Sequence, residues 1–137
     1  MKDNLPERLQ SWYAHEKHRY EFRLKRDIYR TWITEIFLQQ TQINAAKEKL
    51  KFFLATFPTV TSLAQGDISE VLQCFQGMGY YTRARNMHRA AQIIVKDHHA
   101  KIPTSYTALK KIPGIGHYTA AMLASIHGKE KILALDA

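Results

Sequence analysis

Residues 113–116 read Pro-Gly-Ile-Gly and separate two short amphipathic stretches, LKKI and HYTAAMLASI. Glycines at 114 and 116 allow turn geometry without a Cβ clash and let a phosphate approach the peptide N–H groups closely. A helix that begins directly after the turn would point its free N–H groups and its positive dipole end at that phosphate. Such a contact grips a nucleic-acid backbone and reads no base sequence. The spacing predicts an anion-binding hairpin, with a plain turn between two helices as the alternative.

The composition suits one folded basic domain. The 137 residues include 20 Lys and Arg against 12 Asp and Glu, a formal net charge of +8 that is spread along the chain. Such a charge attracts polyanions, most commonly nucleic acid, but a merely basic helical protein would show it too. No run approaches the roughly 18 apolar residues of a membrane span. The single cysteine, Cys74, excludes an internal disulfide and a multi-cysteine metal site, and a reducing cytoplasm is the expected location.

The spacing of the apolar residues predicts an all-α domain that positions the hairpin. Isoleucine and valine occur at helical intervals, and no alternating run has the length of a strand. Pro6 suits the first turn of an N-terminal helix over residues 6–20, and Asp27 suits the N-cap of the next helix. Residues 1–137 are expected to form a single domain. The remaining helices are predicted at 28–41, 43–57, 67–75, 80–98, 106–111 and 118–127, with the hairpin at 112–117 inside the helical stretch 28–127.

Several ordered motifs resemble those of one enzyme superfamily. LKKIPGIGHYTAAMLASI, followed by ILALDA, is similar to the hairpin and the downstream Leu-Asp pair of the helix-hairpin-helix DNA glycosylases, which include endonuclease III. WITEIFLQQTQI resembles the segment around the catalytic glutamate in the adenine glycosylase branch. QGMGYYTRARNMHRAA resembles a further segment of that branch, and FPTVTSLAQGDISEVL resembles the stretch that joins the two. The match begins near Trp12 and implies the all-α helical barrel of the family.

The resemblance assigns base removal to two carboxylates and a tyrosine. A glycosidic bond breaks through an oxocarbenium-like transition state, which calls for an acid on the leaving group and a carboxylate near the sugar. Glu35 matches the acid that protonates adenine, and helical periodicity places it at the edge of an apolar arc, where a half-buried carboxyl has a raised pKa. Asp136 matches the carboxylate that stabilises the sugar cation. Tyr118 stands where the endonuclease III branch has a Schiff-base lysine, which implies hydrolysis without strand cleavage.

The resemblance also implies contacts with double-stranded DNA. Residues 39–41 match those that contact the orphan partner base and fill the gap left by the flipped adenine. Tyr80 matches a tyrosine that wedges into the base stack and offsets about 1–3 kcal/mol of lost stacking. Arg83 and Arg85 follow on the next helix and could meet phosphates, although such arginines more often form a solvated face. The complete set of predicted DNA-contacting residues is Gln39, Gln40, Thr41, Tyr80, Arg83, Arg85, Gly114, Gly116 and His117.

The resulting hypothesis is a base-excision-repair DNA glycosylase. It would hydrolyse the N-glycosidic bond of adenine mispaired with 8-oxoguanine or guanine, and Tyr118 would make it monofunctional. Two alternatives stay open: a non-catalytic DNA-binding remnant that uses the hairpin, and an endonuclease III-like glycosylase of another base specificity. The motifs predict no membrane association and leave the oligomeric state open.

The sequence also departs from the resembling family. The stretch YEFRLKRDIYRTW contains no counterpart of the Leu-Pro-Trp-Arg segment that usually precedes the catalytic helix. The four cysteines of the family's iron–sulfur cluster have no counterpart either, so neither a metal nor a cofactor is expected. We therefore expect the N-terminal part of such an enzyme, a barrel domain incomplete at its C-terminus, and the activity of the isolated chain is left open.

Overall fold

All regular secondary structure in the described residues is helical. The computed structural model describes residues 5–16, 27–39 and 43–129, and no strand occurs within these ranges. The predicted all-α fold class is thereby confirmed. The helices are α1 (Leu5–Glu16), α2 (Ile28–Leu38), α3 (Ile43–Thr56), α4 (Val60–Gln65), α5 (Ile68–Cys74), α6 (Tyr81–Asp97), α7 (Tyr106–Lys110) and α8 (His117–His127).

Short polar side chains fix the starts of four helices, including α7, where the Ser105 hydroxyl accepts from the Ala108 N–H at 3.2 Å. The Asp27 carboxylate accepts a hydrogen bond from the Tyr29 N–H at 2.9 Å, which caps α2 as predicted. Asp67 caps α5 in the same way, accepting from the Ser69 N–H at 3.0 Å. A capping box, in which a side chain on each side bonds the other's backbone N–H, starts α4 at Thr59. These bonds satisfy backbone donors that the first turn of a helix leaves free.

The helix ends differ from the predicted ones in ways that affect the site. The helix predicted at 28–41 ends at Leu38, because Gln39 adopts an extended backbone with φ −65° and ψ 125°. Helix α4 was not predicted, since its six residues are too few to show a period. The N-terminal helix begins at Leu5, and residues 17–20 of its predicted extent lie outside the described residues. The other predicted ends differ from the observed ones by at most one residue.

An aromatic core lies where α2, α3 and α5 meet. The Phe37 ring is 5.2 Å from that of Phe53 and 4.8 Å from that of Phe75, and the Phe57 ring lies 5.2 Å from Phe53. All four side chains are at most 3% exposed. The Tyr29 hydroxyl donates to the Phe57 carbonyl at 2.6 Å, and burial raises the pKa of this phenol strongly. A hydrogen bond therefore joins α2 to the end of α3 beside the aromatic core.

The remaining helices pack around α2 and α6. Helix α6 packs against α4 and α5, whereas α2 contacts both α3 and α8. Helices α7 and α8 pack against each other, and the loop between them is anchored by the buried side chains of Ile112 and Ile115. At the far end of α8, His127 Nε2 lies 3.0 Å from the Thr31 hydroxyl, and burial lowers the pKa of this imidazole. Helix α8 therefore packs on α2, and a hydrogen bond joins the two helices near the end of α8.

Cys74 ends α5 beside the aromatic core. Its side chain is 6% exposed, and it is the one cysteine in the 137 residues. Burial raises the pKa of the thiol, and the nearby Glu70 carboxylate adds to that effect. None of the helices within the described ranges has the length and apolarity to cross a membrane.

Candidate active site

A cavity of about 680 Å³ opens between the end of α2, the start of α6 and the loop before α8. Three segments that are distant in the sequence line it, and each contains residues that the motifs had singled out. The cavity therefore gathers most of the predicted site that can be described. Its lining residues are Gln39, Tyr80, Thr82, Arg83, Asn86, Gly114, Gly116, His117, Tyr118 and Thr119.

The two glycines of the hairpin serve different purposes. Gly114 has φ +85°, and a Cβ atom there would lie 2.8 Å from the Asn86 Cβ, so the loop can pack on α6 only because this residue has no side chain. Gly116 has an extended backbone and is the N-cap of α8, with no side-chain cap. A Cβ atom at Gly116 would meet open space. Residues 116–119 all line the cavity, so the first turn of α8 borders open space.

His117 connects the two helices of the hairpin. Its Nδ1 atom is 2.8 Å from the Tyr106 hydroxyl, and the two rings meet edge to face with centroids 5.6 Å apart. This contact lies at the first residue of α8, directly beside Gly116. It holds the start of α8 against α7 on the side of the cavity.

Tyr80 stands directly before α6 in a strained conformation. Its backbone has φ 59° and ψ 36°, the left-handed region, which costs a non-glycine residue roughly 1–2 kcal/mol. Gly77 and Gly79 just before it also have positive φ, at 84° and 75°. The side chain is 39% exposed and lines the cavity. The predicted position at a helix start is thus one residue before the first helical residue.

Arg83 points across the cavity. Its Nη1 atom donates a hydrogen bond to the Gln39 carbonyl at 3.2 Å, and its guanidinium carbon lies 5.2 Å from the centre of the Tyr80 ring. The Gln39 side-chain amide reaches the Thr119 hydroxyl at 3.5 Å. Arg85, two residues along α6, is exposed. The two arginines that the sequence grouped together therefore occupy different environments.

Glu35 lies on α2, one turn before Gln39. Its side chain is 8% exposed, so it is more deeply buried than the half-buried position predicted from periodicity. The Glu35 carbonyl accepts the Gln39 N–H at 3.0 Å, which joins the backbone of this residue to the edge of the cavity. Gln40, Thr41 and Asp136 lie outside the described residues. The pairing of Glu35 with Asp136 therefore stays a prediction.

Three polar lining residues were not predicted: Thr82, Asn86 and Thr119. Asn86 lies three residues after Arg83 and thus on the same face of α6, a spacing that could have indicated it. Asn86 and Thr119 also line a recess of about 40 Å³ next to the cavity, together with Trp32 and Ile36. No group of three or more His, Cys, Asp or Glu side chains within the described ranges is placed to hold a metal ion. The polar chemistry of the cavity thus comes from amides, hydroxyls, one guanidinium and one imidazole.

Comparison with known proteins gives relatives from bacteria to mammals. The chain is 36% identical over 116 residues to the adenine DNA glycosylase of Buchnera aphidicola subsp. Baizongia pistaciae, covering 84% of this chain and 33% of the relative. It is 35% identical over 127 residues to the adenine DNA glycosylase of Rattus norvegicus, covering 86% of this chain and 25% of that protein. The chain thus spans a third or less of the length of these relatives.

A solved structure and a family pattern agree with these relatives. The structure of a thermostable thymine-DNA glycosylase superimposes with a TM-score of 0.77 and 25% identity, over 85% of this chain and 54% of that one. Residues 33–136 match the pattern of the HhH-GPD superfamily base excision DNA repair proteins. That pattern covers every residue that lines the cavity, including the glycine hairpin. This chain belongs to the HhH-GPD superfamily of base excision DNA repair proteins.

Proposed function

We propose that the protein acts in base excision repair as a DNA glycosylase that removes adenine mispaired with 8-oxoguanine or guanine. The observation that carries this proposal is the cavity of about 680 Å³, which joins the glycine hairpin, Tyr80 and Tyr118 next to the helix that bears Glu35. The similarity to adenine DNA glycosylases, which extends over 84% and 86% of the chain, supports the choice of adenine.

Double-stranded DNA would bind across the mouth of the cavity. The first turn of α8 offers backbone N–H groups beyond Gly116, and the net charge of +8 attracts the phosphate backbone. Tyr80 is held exposed beside these groups, where its ring can enter the base stack. A base displaced from the stack would then have the cavity next to it.

Glu35 would supply the proton for base removal. By resemblance this carboxyl, which is 8% exposed on the helix that ends at the cavity, would protonate the adenine ring and improve the leaving group. Asp136 would stabilise the sugar cation, by resemblance. Tyr118 lines the cavity with a hydroxyl where a lyase needs an amine. The bond between C1′ and the base would therefore be hydrolysed by water, leaving an intact abasic strand.

The test is release of free adenine from a duplex that carries adenine opposite 8-oxoguanine. Glu35→Gln should lower the single-turnover rate by roughly 10²–10⁴-fold, since it removes the acid. Glu48→Gln is the matched control, because this carboxylate on α3 has a side chain that is 82% exposed. Borohydride should trap no covalent complex with the DNA.

Other results would separate the alternatives. Release of thymine from a mispair with guanine, with adenine retained, would replace the proposed base specificity by another one. Binding of duplex DNA without release of any base would favour a DNA-binding role alone. Equal rates for Glu35→Gln and the parent chain would show that the acid is a different group.

A further inference from the structure

Arg83 contacts both the exposed ring of Tyr80 and the end of α2. Its Nη1 atom is 3.2 Å from the Gln39 carbonyl, and its guanidinium carbon is 5.2 Å from the Tyr80 ring centre. We infer that Arg83 is a positioning residue, which sets the Tyr80 ring against the end of the Glu35 helix, and that it is not a phosphate contact. This inference rests on the proposed function.

The hydrogen bond to Gln39 acts at a point where the backbone changes direction. Carbonyl groups at the end of a helix lack partners within that helix. Gln39 is the C-cap of α2, and its N–H still donates to the Glu35 carbonyl at 3.0 Å. By accepting from Arg83, the Gln39 carbonyl ties the turn after Glu35 to α6 across the cavity. The Gln39 side chain reaches Thr119 on the third wall.

The contact with Arg83 is one of the interactions that orient the Tyr80 ring. The left-handed backbone at φ 59° directs the Cα–Cβ bond, but two side-chain torsions still decide where the ring lies. A guanidinium is planar, so it can place a face against a ring while its edge donates to a carbonyl. A lysine ammonium carries the same charge without that planar geometry. Arg83→Lys therefore separates geometry from charge.

Arg85 serves as the reference for how a phosphate-contacting arginine on α6 should affect the salt dependence of DNA binding. It lies on the same helix, is exposed and has the same side chain. Each phosphate contact that is lost lowers the slope of log Kd against log salt by about 0.9. We expect Arg85→Gln to lower this slope by about that amount and Arg83→Gln, which removes the same charge, to leave it unchanged. The two arginines would then differ in role although they are two residues apart.

The experiment uses the full chain and a duplex with 2-aminopurine, a fluorescent adenine analogue, opposite 8-oxoguanine. Fluorescence rises when this base leaves the stack. The parent chain and Arg89→Gln, a change at another exposed arginine of α6, should give the rise at saturating protein, and Arg83→Lys should lose most of it at nearly unchanged affinity. On the adenine substrate, Arg83→Lys should slow release on the order of 10²-fold at saturation, as expected for a misplaced group. Circular dichroism checks that each variant is folded.

A double substitution keeps the inference testable if one variant is poorly folded. Tyr80→Leu should lose the fluorescence rise by itself, and adding Arg83→Lys should cost little more, because both act through one contact. Additive losses would overturn the inference. So would a full fluorescence rise with Arg83→Lys, a lowered salt slope for Arg83→Gln, or no rise with the parent chain. A parent chain that raises the fluorescence but releases no adenine would contradict the proposed function alone.

Discussion

The aromatic core and the cavity share α2 but use it in opposite ways. Phe37 packs from α2 onto Phe53 and Phe75 with ring distances of 5.2 and 4.8 Å, and none of these three side chains is more than 1% exposed. On the cavity side, Gln39 meets Arg83 and Thr119 through hydrogen bonds of 3.2 and 3.5 Å. One side is filled by close ring contacts, and the other keeps an open space bordered by polar groups.

This difference separates residues that stabilise the fold from residues that are available for a ligand. Buried aromatic contacts contribute through the apolar area that they remove from water. The cavity side instead retains costly features, namely the left-handed backbone of Tyr80 and a helix start without a side-chain cap. Such strain persists where the surrounding packing imposes it, and it clusters at functional sites. The aromatic core is therefore expected to dominate stability, and the cavity to dominate DNA binding.

The largest expected effect comes from removing a ring at the centre of the aromatic core. Phe53 is 0% exposed, so Phe53→Ala should lower the free energy of unfolding by about 3–5 kcal/mol. Phe52→Ala is the matched control, since Phe52 is 62% exposed on the same helix and should change stability by less than about 0.5 kcal/mol. Urea unfolding measures both. Similar losses for the two would refute the assignment of the core to this face, and the milder Phe53→Leu keeps the comparison if Phe53→Ala does not fold.

An intermediate effect is expected within the hairpin, where the two glycines should respond differently. Gly114→Ala should cost roughly 1–3 kcal/mol of stability, because φ +85° is strained for alanine and the new Cβ would lie 2.8 Å from that of Asn86. Gly116→Ala should cost less, roughly 0.5–1 kcal/mol, since its Cβ meets open space and the loss is only that of a glycine N-cap. Thermal unfolding of both variants measures the difference. A larger loss at Gly116 would show that the hairpin is packed in another way.

The smallest expected effect concerns His127, which joins α8 to α2 beyond the cavity. Burial lowers the pKa of its imidazole, and the Asp27 carboxylate opposes that effect. The unfolded chain therefore takes up a proton at a higher pH than the folded chain does. The contribution of the neutral His127 imidazole to stability is complete above the ordinary histidine pKa of about 6.5. It is lost as the pH falls through the lowered pKa of the folded chain. Melting temperatures between pH 7.5 and 5.5 should fall less for His127→Gln than for the parent, and equal slopes would exclude this role.

The sequence predicted the site better where local geometry decides than where distant segments meet. The glycine turn before α8 and the break before Tyr80 were found because glycines mark both. The end of α2 at Leu38 was missed, since the extended Gln39 bonds to groups on α6 and α8 that no local pattern shows. Arg83 and Arg85 looked equivalent for the same reason. Asn86 was overlooked although it lies one helical turn from Arg83, because the residue that packs on it, Gly114, is distant in the sequence.

The buried thiol of Cys74 allows local unfolding around α5 to be measured by the rate of thiol labelling. A thiol-specific reagent attacks the thiolate, and both the burial of Cys74 and its raised pKa suppress that form while α5 is packed. Labelling therefore proceeds through states in which α5 has separated from the helices around it, and its rate reports how often they form. Because the 137 residues contain one cysteine, the signal comes from a single position. The lifetime of the packing beside Phe75 can thus be timed on the unmodified sequence.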